Sequence, residues 1–513
     1  MKRAELALAT ALALAAGCPP AARPPASPPA AVATAPVGRV IARPSDAKVI
    51  ELRVAFEAGA ADDPPGQQGL TYVTALSMLE GRAGQVGYAE RAARLFPMAA
   101  SIGVHVDREQ VVFSGRVHVD HLAAFYPLFR DVLRAPAFDS ADVDRVRTRA
   151  LSNLTQDLRG ADDEALGKEV LQAMLFEGHP YAHPELGTER GLSGFGPEQV
   201  RAQWRRVLCA GRVRIGVAGA LASELSRRLE ADLAGEPGES GCEDARPLPP
   251  PSSLATRRVW IVDKPEAGSV AISLGHSVDV TRDHPDFAAL ALASAYLGQH
   301  RTFAGRLMQA MRGERGLNYG DYAYAEHFVQ DGASRFPLPN VARRQQYFSV
   351  WIRPVRPEHA HFALRFAVRE LEKVASEGIG QADFERIQRF AASYFALFAQ
   401  TEQQRLGYAL DDGFYGVRAP HLDALRARFA TLTRDEVNAA LRRHVVPGRL
   451  QVAMVAKDAS ALAERLVKGD ASPITYDTEK PQALRDEDTQ VAAHPLGLSR
   501  EQVNVVPLAS MFR

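Results

Sequence analysis

Residues Val49–Ala58 alternate, with Ile50, Leu52, Val54 and Phe56 on one face. That is the period of a half-buried strand. Ile102–Val106 and Val111–Val117 are two apolar runs across a short polar turn, which predicts an antiparallel hairpin. Val213–Val217, Val259–Val262, Val270–Leu274 and Leu450–Met454 also read as strands. Helical spacing covers Gln67–Glu80, Ala141–Leu158, Asp163–Phe176, Pro285–Leu297 and Pro357–Ser376. Strands and helices interleave with hairpin-like steps. The pattern predicts an α+β fold, with helices covering one face of a mixed or antiparallel sheet.

The pattern also occurs twice. Glu198–Leu229 aligns with Asp435–Leu466 at a constant offset of 237 without a gap. Identical pairs include Val200/Val437, Arg206/Arg443, Gly211/Gly448, Arg212/Arg449 and Leu229/Leu466. Each copy reads helix, Gly-Arg turn, apolar strand, helix, so element types repeat along with residues. Gly235–Ser253, rich in Gly, Pro, Ser and acid, is a linker by composition. The organisation expected is a half at 39–234, a linker at 235–256, a half at 257–470 and a tail at 471–513.

Charge narrows the function classes. The 61 Lys and Arg balance 61 Asp and Glu over 513 residues, which argues against an electrostatic binder of nucleic acid. Three cysteines exclude a disulfide scaffold, and the spacing of Cys209 and Cys242 assigns them no pairing. Met1–Arg3 is basic, Leu6–Ala16 is a short apolar run, and Leu14-Ala15-Ala16-Gly17-Cys18 follows. This resembles the lipobox of bacterial lipoproteins, although Ala15 stands where Leu is preferred. The resemblance implies a signal peptide at 1–17, lipid on Cys18, and an Ala/Pro-rich tether at 18–38. It places the body in the bacterial cell envelope on the periplasmic face. Pro19 after the cysteine favours the outer membrane.

Gly69-Leu70 opens a helix that Gly81 closes, and His179-Pro180-Tyr181 with Leu186-Gly187 follows. In the second half come Gly298, Gly305-Arg306-Leu307 and Met311-Arg312-Gly313-Glu314-Arg315-Gly316-Leu317-Asn318-Tyr319-Gly320. In order and spacing these resemble the insulinase/pitrilysin family of zinc metallopeptidases. The resemblance implies two clam-shell halves. It also implies an H-x-x-E-H helix whose histidines share a face and bind zinc, with the Glu as general base. Those positions fall on Tyr72, Ala75 and Leu76, and the helix at Gln67–Leu79 has no His or Glu. The third ligand is expected from Ala141–Leu158, yet no Glu lies between Glu109 and Glu164. Gly268 stands roughly where many members carry Gln. His118/His121, His179/His183 and His359/His361 do not have ligand spacing on a continuous helix face, and are expected to be surface or capping residues.

Arg312 and Tyr319 keep the spacing of the family's substrate-side Arg and Tyr. The resemblance implies that they grip a peptide carbonyl or carboxylate and donate to a developing oxyanion. It further implies that bacterial members of this size work as heterodimers, one chain bearing zinc and the other the Arg/Tyr pair. The expected role is the non-catalytic subunit: no catalytic residue or metal of its own, zinc in an insulinase-like partner, and unfolded peptides as ligands. Two alternatives stand beside it. One is a binding or structural protein in which the pair is a relic. The other is an active metallopeptidase with an unrecognised metal site. The segment Glu326–Phe348, which interrupts the second half, is expected at the partner interface or the chamber wall.

Overall fold

A computed structural model describes residues 39–513 apart from 235–241, 246, 253 and 418–419. The expected signal peptide, Cys18, the expected tether and part of the linker lie outside the described residues. The first half supplies β1 (Val40–Pro44), β2 (Val49–Phe56), β3 (Ser101–Val106), β4 (Val111–His118) and β5 (Val213–Gly219). They form a mixed sheet in the order β1-β5-β2-β4-β3, with β1 parallel to β5 and the other pairs antiparallel. The second half supplies β6 (Arg258–Asp263), β7 (Val270–Val278), β8 (Asp321–Tyr324), β9 (Gln346–Val355) and β10 (Gln451–Ala456), joined by β11 (Val503–Pro507). Their order is β11-β6-β10-β7-β9-β8. Without β11, the second order repeats the first strand for strand, including the one parallel pair. The duplication seen over a short stretch therefore extends through both sheets.

The alternating residues of β2 point where the pattern placed them. Ile50, Leu52, Val54 and Phe56 are all in the first core, with Val111, Phe113 and Val117 of β4 opposite. The predicted hairpin is β3–β4. Helix ends move by a few residues. Ala141–Leu158 becomes an α-helix at Ser140–Ser152 followed by a π-helical stretch at Asn153–Ala161.

The halves exchange helices. The helix Asp163–Leu175 belongs to the first half in sequence but packs on β7 and β10 of the second sheet. The helix Glu402–Tyr415 does the reverse, packing on β5 and β2. Both are apolar on the face they bury: Leu166, Val170 and Met174 in one, Leu406 and Leu410 in the other. Residues Ala35–Arg513 consequently form one compact unit.

Three segments tie the parts of the chain together. The tail is part of the fold, because β11 pairs parallel with β6 and the helix Gln482–Ala492 packs on the helix Ala360–Ser376. Glu326–Phe348 turns inward: Phe328 joins Tyr322, Tyr324 and Trp351 in an aromatic cluster, and Arg343 is buried against the first half. The described part of the linker is strapped across the first half. Arg212 donates to the carbonyls of Glu243 (2.6 Å) and Asp244 (2.8 Å), and His179 Nε2 lies 2.8 Å from the Pro249 carbonyl.

A disulfide joins Cys209 to Cys242 and fixes the start of that strap. It closes a loop with a sequence separation of 33. Closing a loop of that size stabilises by about 3.5–4 kcal/mol. Cys209→Ser should lower unfolding stability in urea by roughly that amount. An unchanged midpoint would show that the strap holds without the bond.

Candidate functional site

The first candidate region is the helix Leu70–Glu80, onto which the sequence resemblance places the zinc motif. Its N-terminus is capped by Asp63, whose carboxylate accepts from the Gly69 N–H (2.6 Å), the Thr71 N–H (2.7 Å) and the Thr71 hydroxyl (2.6 Å). Burial pushes that carboxyl up to about 7, against the lowering effect of the three donors. Gly69 has φ 101°, and a Cβ there would lie 2.6 Å from the Leu186 carbonyl. The Gly-Leu motif and the Leu-Gly landmark are thus two sides of one backbone crossing. They mark the fold rather than chemistry.

Ala75 is fully buried, while Tyr72 and Leu76 pack half-buried against the first core. Asn153, at the start of the π-helical stretch, neighbours the Tyr72 phenol, and burial raises the phenol pKa. Glu80 is held by Arg149 at 2.6 Å and Arg145 at 3.3 Å. The helix expected to bring the third ligand brings a carboxamide and two guanidiniums instead. Zinc requires deprotonated thiolate, carboxylate or neutral imidazole donors. A neutral phenol, an amide, a methyl group and two nearby cations do not fit it.

His118 and His179 are caps, accepting from the Asp120 and Tyr181 N–H groups. His183 Nδ1 is turned to the Pro184 carbonyl. His359 and His361 are not surface residues. Both are buried, and burial pushes His361 down to about 4. Among the described residues, one group has donor atoms close enough to hold an ion: His284, Asp286 and His444. Both carboxylate oxygens of Asp286 are already engaged by Arg443, and Oδ2 also by His444.

Arg312 and Tyr319 are brought together. Arg312 closes the π-helical segment Met308–Glu314 and donates Nη1–H to the Tyr319 carbonyl at 3.0 Å. Its guanidinium lies 4.8 Å from the Phe303 ring centroid and 5.9 Å from that of Tyr319. Tyr319 is 76% exposed and Phe303 62%. Tyr and Arg are among the residue types enriched where surfaces meet another molecule. Phe303 has no signal in the sequence, because exposure follows from tertiary placement.

The loop carrying Tyr319 is fixed from behind. Asn318 Nδ2 donates to Asp321 Oδ1 (2.7 Å) and to the Arg353 carbonyl (3.1 Å). The Arg353 N–H donates to the Gly320 carbonyl at 3.1 Å. Burial holds the Asp321 carboxyl well above its ordinary range. Arg315 anchors the same motif to the tail through Asp488 (2.8 Å) and Glu487 (2.7 Å). Gly298 and Gly305 allow a second backbone crossing: a Cβ on Gly305 would lie 2.4 Å from the Gly298 Cα. Among the described residues, no hydrogen bond or ring contact links this loop to the helix Leu70–Glu80.

Residues 195–390 match the family model described as the peptidase M16 inactive domain. No curated protein sequence matches the chain. Among solved structures, the chain is similar to a peptidase M16 inactive domain from Pseudomonas fluorescens, with 21% identity and a TM-score of 0.70 over 82% of this chain and 95% of that one. It is also similar to the periplasmic protease PqqL from Escherichia coli, at 12% identity and TM-score 0.64, over 90% of this chain and 49% of PqqL. A chain of Complex III2 from Candida albicans matches at 15% identity and TM-score 0.59, over 81% of this chain and 93% of that one. The two repeated mixed sheets covered by helices are the fold that these proteins share.

Proposed function

We propose that this chain, which has the peptidase M16 fold, is a non-catalytic subunit that supplies Arg312 and Tyr319 to a zinc-bearing partner of the same fold. One observation carries the reading: the Arg312–Tyr319 pair is presented outward on a fixed loop, while the zinc positions hold Tyr72, Ala75 and Leu76. In such an assembly the partner's zinc would activate the water. Arg312 would orient a peptide carbonyl or carboxylate, and the Tyr319 hydroxyl would donate to the oxygen that gains charge. One chain spans about half of PqqL, so two such chains would build a body of that size.

The proposed location is the bacterial envelope, through lipid on Cys18. The Cys209–Cys242 disulfide supports an oxidising compartment, and PqqL is described as periplasmic.

The test is to purify the full chain from its native membranes under mild detergent. Mass spectrometry then identifies what accompanies it, and a quenched peptide measures hydrolysis. The reading expects an H-x-x-E-H chain and hydrolysis that o-phenanthroline abolishes. Recovery without such a chain and without hydrolysis favours the second reading, a binding or structural protein. The likeness to a Complex III2 chain is what supports that alternative.

A further inference from the structure

The exchanged helix Asp163–Leu175 walls a cleft of about 500 Å³ between the two halves. That is the size of a small-ligand or peptide side-chain site. Glu164, Lys168 and Gln172 line it at intervals of four and so share one helix face. Trp351 and Arg353 of β9 stand opposite.

The carboxylates around the cleft are all engaged. Glu164 holds Arg353 at 2.8 Å, and Asp162 accepts from the Ala165 N–H at 2.9 Å. Glu169 holds Arg108 at 2.6 Å, and Glu185 is shared by Arg108 and Arg343. Asp107 holds Arg343 at 2.5 Å and His327 at 3.3 Å. Lys168 is the exception. Its Nζ lies 3.8 Å from the Trp351 ring centroid and has no carboxylate within ion-pair distance among the described residues. Burial pushes its pKa down, as do Arg353 and Arg301, against Glu164 on its own helix and Asp162 at that helix's N-cap. A second polar atom on the wall, buried His105 Nε2, has no hydrogen-bond partner among the described residues.

We propose that this cleft binds a carboxylate of a peptide, either a C-terminus or an acidic side chain, with Lys168 Nζ as counter-ion and Trp351 as the adjoining wall. A desolvated ammonium on an aromatic face is completed by one anion. One unmatched cation with Glu164 a helical turn away suits a single negative charge better than a phosphate dianion. That the ligand is a peptide rests on the function proposed above. The physical link is Arg353, which lines the cleft and hydrogen-bonds Gly320, the residue after Tyr319. A chain seated at Lys168 therefore lies beside the Tyr319 loop.

The test uses the full chain alone, without a partner, so failure of the hydrolysis reading leaves it interpretable. Three probes are titrated by calorimetry and tryptophan fluorescence: an alanine pentapeptide acid, its C-terminal amide, and the amide with a central Glu. Binding of the acid or of the Glu peptide, with a change in Trp351 emission and at least tenfold weaker binding of the plain amide, supports the proposal. Which of the two binds identifies the carboxylate source. Lys168→Met should weaken that binding about tenfold or more, and Lys168→Arg should restore most of it. Equal binding of all three probes, no binding of any, or unchanged binding by Lys168→Met would overturn it. The comparison among probes on the unaltered chain does not depend on any variant folding.

Discussion

Arg343→Met is expected to lower the unfolding free energy by about 3–5 kcal/mol, measured by urea denaturation. Arg343 comes from the long second-half segment, yet its partners belong to the first half. It donates to Asp107 (2.5 Å), Gln172 (2.6 Å) and Glu185 (3.2 Å), and both Arg343 and Asp107 are almost fully buried. The guanidinium holds the Asp107 carboxyl well below the usual carboxylate range despite burial. Removing the cation leaves that charge buried without its main partner. The pair itself is worth far less than this loss, because both groups give up hydration to form it. Arg343→Met combined with Asp107→Leu should therefore recover much of the stability. A single variant as stable as the unaltered chain would mean that the halves are held by the exchanged helices alone.

Tyr319→Phe is expected to slow hydrolysis by the assembled complex about a hundredfold in kcat, the usual effect of losing one oxyanion donor. Arg312→Ala should reduce kcat/KM by a similar factor, divided between binding and rate because the guanidinium also orients substrate. Neither change should move the thermal midpoint much. Tyr319 is largely exposed, and apart from the bond from Arg312 to the Tyr319 carbonyl the loop is fixed by Asn318, Arg353 and Arg315. Unchanged hydrolysis with both variants would make the pair a relic and favour the structural reading.

The fold was legible where burial has a simple period. The alternation in Val49–Phe56 and the Val111–His118 hairpin strand could be read directly, because one face of each strand is almost wholly apolar at every second residue. The repeat was legible because Gly-Arg turns and apolar strands recur at one offset. The hydrophobic pattern shows that Leu166, Val170 and Met174 are buried, but not against which sheet, so the helix exchange was hidden. β1 and β11 are short edge strands with mixed burial, and edges carry weak patterns. For Glu326–Phe348, expected at the partner interface or the chamber wall, the sequence does not show which residues its Arg and His side chains meet. They turn inward because Asp107 and Glu109 of the first half await them.

For the site, an absence was the clearest signal. Residue types at Tyr72, Ala75 and Leu76 exclude the family's ligands without any structure. The structure adds what surrounds them: Asn153 on the phenol, and Arg145 and Arg149 on Glu80. Phe303 and Lys168 are ordinary residues in sequence. They stand out only because one is exposed beside Arg312 and the other faces a cleft with no carboxylate at ion-pair distance from its ammonium among the described residues.

The most direct test of the central claim is the zinc content of the purified full chain, measured by elemental analysis after dialysis against zinc-free buffer without chelator. A subunit that leaves zinc chemistry to its partner should retain essentially none. About one zinc per chain, retained through dialysis, would contradict the non-catalytic assignment and direct attention to His284, Asp286 and His444.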